Sequence, residues 1–452
     1  MILTRVGIIA GVILASLVIG RIAARIGHPE ILLAISLLPA ASIILLRHSK
    51  PEHGILGIVL VAAVVRFTLP TGTVSRIVMS LVVTAGVVAW WIIKMLLHDK
   101  QLQLKPASTN APLLGFVVTC IISLFWSNVF RDPLVIIWKT WPFVQVGGLA
   151  VMILLPGAFL ITANLLQEIK WIVWLTITIL VVGTIAIVGY YLHVPVDFLQ
   201  VRPLFPTWCM ALAYALALFD RRLPWWVRLL LLALMGGWLY RVFIQRFRWL
   251  SAWMPSLSAL GMISLLRSYK LVLILLVLLC IFTYINRNEI MEQIYAERLE
   301  SGETRLDAYL HNWRVTGKHF LFGVGPAGYA VYYMTYFPTE AMASHSTYID
   351  ILSQTGIVGL GFFLWFFAAL FKTGWRLWRQ TKDRADFTEA FTVAAVGGYV
   401  GTILAMALGD WIVPFVYTQT IAGFDYAVYT WILLGAALAL HHIVSKPEEA
   451  DG

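Results

Sequence analysis

His345 is the residue in this chain best placed to do chemistry. It follows Ala343-Ser344 and opens an apolar run that continues to Phe371, so its ring sits where a membrane span meets water. A histidine titrating near neutrality can take the proton from an attacking hydroxyl. A polar cap at a helix end is the plainer role for such a residue taken alone, and His28, His193, His311 and His319 could equally be structural. Asp350 lies about one turn inside the same span, where a carboxylate is costly unless paired. Five residues separate it from His345, so the two do not share a helix face. Its expected role is a hydrogen bond to another span, not a dyad with the histidine.

Arginines form the second candidate group. Arg202 precedes Pro203-Leu204-Phe205-Pro206 at the start of a span, Arg246 and Arg248 fall in a tight turn, and Arg305 lies on a loop helix. The planar guanidinium fork holds phosphate bidentately. Arginines from separate segments, on the same membrane face as His345, have the layout of a diphosphate clamp beside a general base. Anchoring to lipid phosphate explains any one of them by itself. Gly323-Val324-Gly325-Pro326-Ala327-Gly328 is a tight turn free to present N–H groups to an anion; a plain turn is the simpler reading. It is not a P-loop, because no Gly-Lys-Ser/Thr follows, nor a dinucleotide fingerprint, because no strand precedes it.

Membrane helices must position these residues. The chain has 452 residues, 60% hydrophobic and 12% charged, with mean hydropathy +0.84, whereas soluble domains carry about 25% charged residues. The expected fold is all-α: a polytopic integral membrane protein with about 12–14 transmembrane helices and one large outer loop containing short helices. The candidate spans are 6–22, 31–46, 54–69, 78–97, 112–128, 143–163, 171–191, 204–219, 225–243, 249–266, 270–286, 346–371, 390–408 and 425–442. The first apolar run, Val6 to Gly20, has no clear small-residue cleavage site and reads as a retained span. Pro142 and Pro156 break the sixth span or mark its ends. The organisation is then an N-terminal bundle over 1–286, the loop over 287–345, C-terminal spans over 346–443 and a cytoplasmic tail over 444–452. Within the loop, Glu289–Glu300 and Glu303 to about Lys318 are expected as helices separated at Gly302. Arg305, Tyr309 and Asn312/Trp313 are expected on one face of the second.

Charge orients the bundle. With the N-terminus inside, eighteen of the 33 Lys and Arg residues fall on the inner side and fifteen on the outer side. The inner set is half lysine, while the outer set is thirteen arginines and two lysines, Lys139 and Lys318. An arginine-rich outer face that opposes the positive-inside trend fits an anionic ligand there. Basic residues scattered between spans exclude nucleic acid as a partner. Cys120, Cys209 and Cys280 lie in or beside apolar runs and outline no disulfide or metal framework. No metal motif appears, so no metal is expected.

The segment from loop to span resembles the O-antigen ligase and Wzy-type polymerase superfamily. Its ligases carry His, then Asn, Ser or Gln, nine residues, Gly, two residues, then Gly, Thr or Tyr. Here His345, Ser346, Gly356 and Gly359 fit at every position. Arg305 with Tyr309, and Gly323-x-Gly325-Pro326, are similar to the family's Arg-x3-aromatic helix and Gly-x-Gly-Pro turn, with Tyr where Trp is common. Arg202 is similar to an arginine that precedes a Pro-Asn span start, although Pro206-Thr207 stands here. Phe247-Arg248-Trp249 keeps only the arginine of a Ser-Arg-Gly turn, which leaves Arg246 as its rival. The strong match covers about 305–360.

The resemblance implies metal-independent, inverting glycosyl transfer without a cofactor. It would occur at the periplasmic face of the bacterial cytoplasmic (inner) membrane, among membrane lipids. The donor would be a glycan on undecaprenyl diphosphate. His345 would deprotonate or hydrogen-bond the acceptor sugar hydroxyl, and arginines would hold the diphosphate as the C1–O bond breaks. Lipid A-core as acceptor makes the chain an O-antigen ligase. A growing glycan makes it a polymerase, and a protein acceptor makes it an O-oligosaccharyltransferase. From a different class, a lipid-linked glycan flippase or transporter would need ionisable residues through the middle of the spans, and few are present.

Overall fold

The computed structural model describes residues 51–70, 76–97, 100–196, 198–202, 204–245, 250–288, 290–292, 303–338 and 344–445. In chain order the elements are α1 (Pro51–Val64), β1 (Thr68–Pro70), β2 (Arg76–Val78), α2 (Met79–Leu97), α3 (Asn110–Val129), α4 (Trp141–Leu165), α5 (Ile169–Tyr191) and α6 (Leu204–Phe219). Then come α7 (Trp225–Leu239), α8 (Leu250–Arg267), α9 (Tyr269–Ile285), α10 (Glu303–Thr316), α11 (Tyr329–Tyr336), α12 (Thr347–Thr381), α13 (Phe387–Leu408), α14 (Val416–Gln419) and α15 (Phe424–Val444). The chain is an all-α polytopic membrane protein. Among the described residues eight helices are long and apolar enough to cross a membrane, and α1, α6 and α9 are shorter apolar helices. The expected spans at 6–22 and 31–46 lie outside the described residues, as does most of the first loop helix.

Two expectations about spans are corrected. The run at 54–69 does not stay helical to its end. Its helix stops at Val64, and Thr68–Pro70 pairs antiparallel with Arg76–Val78, with Leu69 opposite Ile77. The chain leaves the helix before Arg66, which keeps a guanidinium out of an apolar span. The sixth span is not broken. Pro142 marks its start, as one of the two expected roles has it, in the first turn of α4 where no N–H is needed; Pro156 does neither and is carried inside a continuous helix.

Small residues let the helices approach. A Cβ on Gly401 of α13 would stand 2.7 Å from Pro255 O of α8, and one on Gly435 of α15 would stand 2.6 Å from Phe159 O of α4. Close backbone approach replaces the hydrophobic drive that lipid removes. Hydrogen bonds add direction: Trp208 Nε1 donates to Thr430 Oγ1 at 3.0 Å, and Thr207 and Ser256 hydroxyls meet at 2.8 Å. By contrast α9 buries no residue, and Leu273, Ile274, Leu276 and Val277 stay exposed as a lipid-facing surface does.

The loop between α9 and α12, labelled outer for its expected side, packs onto this bundle. α10 runs to Thr316 and continues as a short 3-10 turn, Gly317–His319. It buries Ala308, Asn312, Val315 and Thr316 and exposes Leu310 and Trp313. Asn312 is buried and Trp313 exposed, since adjacent helical positions differ by about 100°. In α11, Tyr329, Tyr332 and Tyr333 are buried, and Tyr333 OH donates to Ala308 O at 2.9 Å.

Candidate active site

The glycine turn and the span behind His345 form one construction. α12 is broken at Gly356, where φ is +67° and ψ is −171°. The break separates a half-helix, residues 347–355, from the long span beyond. It frees carbonyls on one side and amides on the other. The turn satisfies both sets: Val324 N–H donates to Ser353 O at 2.9 Å and Gly325 N–H to Gln354 O at 3.0 Å. In return Ile357 N–H donates to Phe320 O at 2.8 Å and Val358 N–H to Leu321 O at 3.3 Å. Ala327 N–H donates to Gln354 Oε1 at 2.7 Å. Irregular backbone at membrane depth is tolerated where protein supplies these bonds.

Glycine is required here by geometry. Gly323 and Gly325 have φ of +68° and +85°, and a Cβ on Gly323 would meet Gln354 C at 2.5 Å. A Cβ on Gly356 would overlap the Leu321 carbonyl. Because the amides of 324, 325 and 327 are spent on α12, they are not an anion cradle. Gly359 keeps α12 close to Thr119 of α3.

The half-helix carries His345 at its outer end. Ser344 and Ser346 are buried while His345 between them is exposed. Ser346 Oγ donates to Met406 O at 3.3 Å, and Thr347 Oγ1 donates to Gly409 O at 2.9 Å. These bonds tie the histidine's flanks to the outer end of α13. His345 itself has φ +50°, a left-handed conformation that few non-glycine residues hold. Asp350 is buried, and its Oδ1 accepts from Ser344 Oγ at 2.6 Å and Tyr329 OH at 2.7 Å. Its partners are thus a residue of its own approach segment and a loop tyrosine, not another span as expected. Burial and the adjacent Asp350 carboxylate push the Tyr329 phenol well above its usual range, so it stays a donor.

A second carboxylate, Asp410, follows Gly409 at the outer end of α13. It accepts from Phe415 N–H at 3.3 Å and Gln419 Nε2 at 3.2 Å. Burial raises its pKa, and the nearby charge of His345 pulls the other way. Asp410 therefore lies within electrostatic reach of His345.

The arginines meet around a cavity of about 1000 Å³ at the same outer ends of the helices. Arg66 comes from the exit of α1, Arg202 from the entry to α6, and Arg241 from a π-helical turn, Tyr240–Ile244, that ends α7. No Asp or Glu is found among its described lining residues. Aromatic faces hold two guanidiniums: Arg202 lies over Tyr426 at 5.0 Å and Arg241 over Tyr190 at 3.8 Å. Arg66 Nε donates to Phe198 O at 3.0 Å. A cation-rich cavity without acidic lining suits a ligand carrying more than one negative charge.

Of the residues singled out from sequence, Arg202 lines this cavity and His345 lies within electrostatic reach of Asp410. Arg246 and Arg248 lie outside the described residues. Arg305 lies in the first turn of α10, which packs along the half-helix through the 3.1 Å bond from Thr316 Oγ1 to Ser353 Oγ. Tyr309 is half-buried in the same helix. Sequence reasoning missed Arg66, Arg241, Tyr426 and Asp410. The surplus of outer arginines was the available signal for the first two. Among the described residues, no three His, Cys, Asp or Glu side chains converge as a metal site would need.

Residues 208–364 match the family model described as O-antigen ligase. The matched segment runs from α6 into α12 and includes Arg241, the outer loop, His345 and the break at Gly356. No curated protein matches the chain.

Proposed function

We propose that this chain, which belongs through residues 208–364 to the O-antigen ligase superfamily, transfers a glycan from a polyprenyl diphosphate to an acceptor sugar hydroxyl. The carrying observation is the cavity that gathers Arg66, Arg202 and Arg241 at the same ends of the bundle as His345. The family handles glycans as ligase or polymerase; undecaprenyl diphosphate as donor and lipid A-core as acceptor are the specific reading. Three guanidiniums neutralise the diphosphate as the C1–O bond breaks and negative charge grows on the leaving phosphate. His345 accepts the hydroxyl proton as the acceptor oxygen forms the new bond to C1 from the opposite side, which inverts the anomeric centre. Asp410 stabilises the resulting imidazolium. The site faces the periplasm of the inner membrane.

The test is transfer by the purified protein supplied with undecaprenyl-diphosphate glycan and lipid A-core. One addition per acceptor supports the ligase, and a ladder of repeat units the polymerase. No turnover with either, alongside movement of the lipid across vesicles, overturns glycosyl transfer. His345→Ala is expected to abolish transfer and leave the unfolding midpoint unchanged.

A further inference from the structure

We propose that Asp350 is a positioning residue for His345, acting through the Ser344 hydroxyl and held from its other side by Tyr329. This rests on the reading of His345 as the base.

Ser344 bridges the histidine. Its Oγ donates to Asp350 Oδ1 at 2.6 Å and accepts from Ser346 N–H at 3.2 Å, so one side chain spans the residues before and after His345. That bridge closes the turn in which His345 adopts φ +50°. A left-handed residue with a side chain persists only where its surroundings over-determine it. The carboxylate that supplies this constraint is itself immobilised. Asp350 is 1% exposed, and its second donor, Tyr329 OH at 2.7 Å, belongs to a ring stacked on Phe415 at 4.0 Å with the planes 7° apart. Phe415 N–H in turn donates to Asp410. One continuous set of contacts thus runs from Asp410 through Phe415, Tyr329 and Asp350 to Ser344, the residue that adjoins His345 in the chain.

Asp350 contributes an acceptor to two neutral hydroxyls, and an asparagine oxygen can accept both. Asp350→Asn is therefore the conservative variant, while Ser344→Ala and Asp350→Leu remove the bridge. Transfer from undecaprenyl-diphosphate glycan is followed at varied donor concentration in detergent, with the unfolding midpoint measured for each variant. Misplacing a catalytic group by about 1 Å can lower turnover by about a hundredfold. Ser344→Ala is expected to lower kcat by about tenfold to a hundredfold with donor KM within about twofold. Asp350→Leu should match it, the double variant should be no slower than either, and Asp350→Asn should retain most of the rate. Tyr329→Phe, which keeps the stack, should fall between.

Full activity of Ser344→Ala while His345→Ala is dead would overturn the positioning role alone. Equal damage from Asp350→Asn and Asp350→Leu, or losses confined to donor KM, would overturn it too. If Asp350→Leu does not fold, Ser344→Ala and Tyr329→Phe decide. A fully active His345→Ala would remove the base assignment and this proposal with it.

Discussion

Replacing Gly356 by alanine tests whether the break in α12 is a built feature. The backbone there, φ +67° and ψ −171°, lies in a region that is essentially glycine's alone. Forcing a side chain into it costs on the order of 1–3 kcal/mol. The new Cβ would also overlap the Leu321 carbonyl and stand 2.5 Å from Phe322 N, both backbone atoms with little freedom to yield. Moving that segment away loses the bonds from Ile357 N–H to Phe320 O and Val358 N–H to Leu321 O. Each buried group left unpaired costs about 1–3 kcal/mol. Counting one unpaired group for each of the two bonds, the sum is about 3–9 kcal/mol, a large share of the roughly 5–15 kcal/mol that holds a typical native fold. Gly361→Ala is the control: it lies in the same helix, and a Cβ there meets nothing within 4 Å. The assay is the midpoint of unfolding in detergent, with transfer measured on the folded fraction. Gly356→Ala should unfold far earlier than Gly361→Ala and should lose transfer, because the half-helix that carries His345 is displaced. Equal midpoints for the two variants would refute the reasoning.

Arg202→Ala and Arg241→Ala should each raise donor KM by about 10- to 100-fold, the worth of one charge-assisted hydrogen bond; Arg202→Lys should recover only part, and unchanged donor kinetics in all three would remove the clamp. On the opposite face, Asp386 Oδ1 accepts from Thr388 and Glu389 N–H at 3.0 and 3.2 Å, while Glu389 Oε2 accepts from Ala385 N–H at 2.7 Å. Asp386→Ala should cost about 1 kcal/mol of stability with transfer per folded molecule unchanged; a loss of transfer larger than the loss of fold would contradict this. His319 of the outer loop has its pKa lowered, first by burial, with Asp132 opposing. Its folded pKa lies below the unfolded value near 6.5, so its contribution is complete above that pH and is lost as pH falls through the folded value. Hydrogen exchange over 303–338, corrected for intrinsic rate, should quicken from pH 7.5 to 5.5 in the wild type and less so in His319→Gln, and a pH-independent profile would exclude the effect.

Hydropathy found the helices of the bundle because lipid demands long apolar runs whatever the packing. It also placed His345 at a span end and Arg202 at a span start, and Arg202 lines a cavity together with Arg66 and Arg241. The break at Gly356 was hidden because residues 346–371 read as one span by length and overall hydropathy. The glycines were visible as motif positions, but their purpose depends on a turn some thirty residues earlier. Arg66 and Arg241 escaped notice because each lies within a run counted as a span. Only the end of α1 at Val64 and the π-helical turn after α7 bring them to the cavity. Asp350 was expected to bond another span, since sequence alone does not show that the loop folds back far enough to bring Tyr329 to it.

The exchange of backbone bonds between 320–325 and 353–358 also says where this protein could be cut and rejoined. Each strand of the exchange completes the other, so neither would keep its shape if transplanted alone. A chimaera that swaps the outer loop at its hydropathy limits would leave Ser353 and Gln354 carbonyls facing a foreign turn. The smallest portable unit runs from α10 through Val358, because any shorter piece leaves one side of the exchange unpaired.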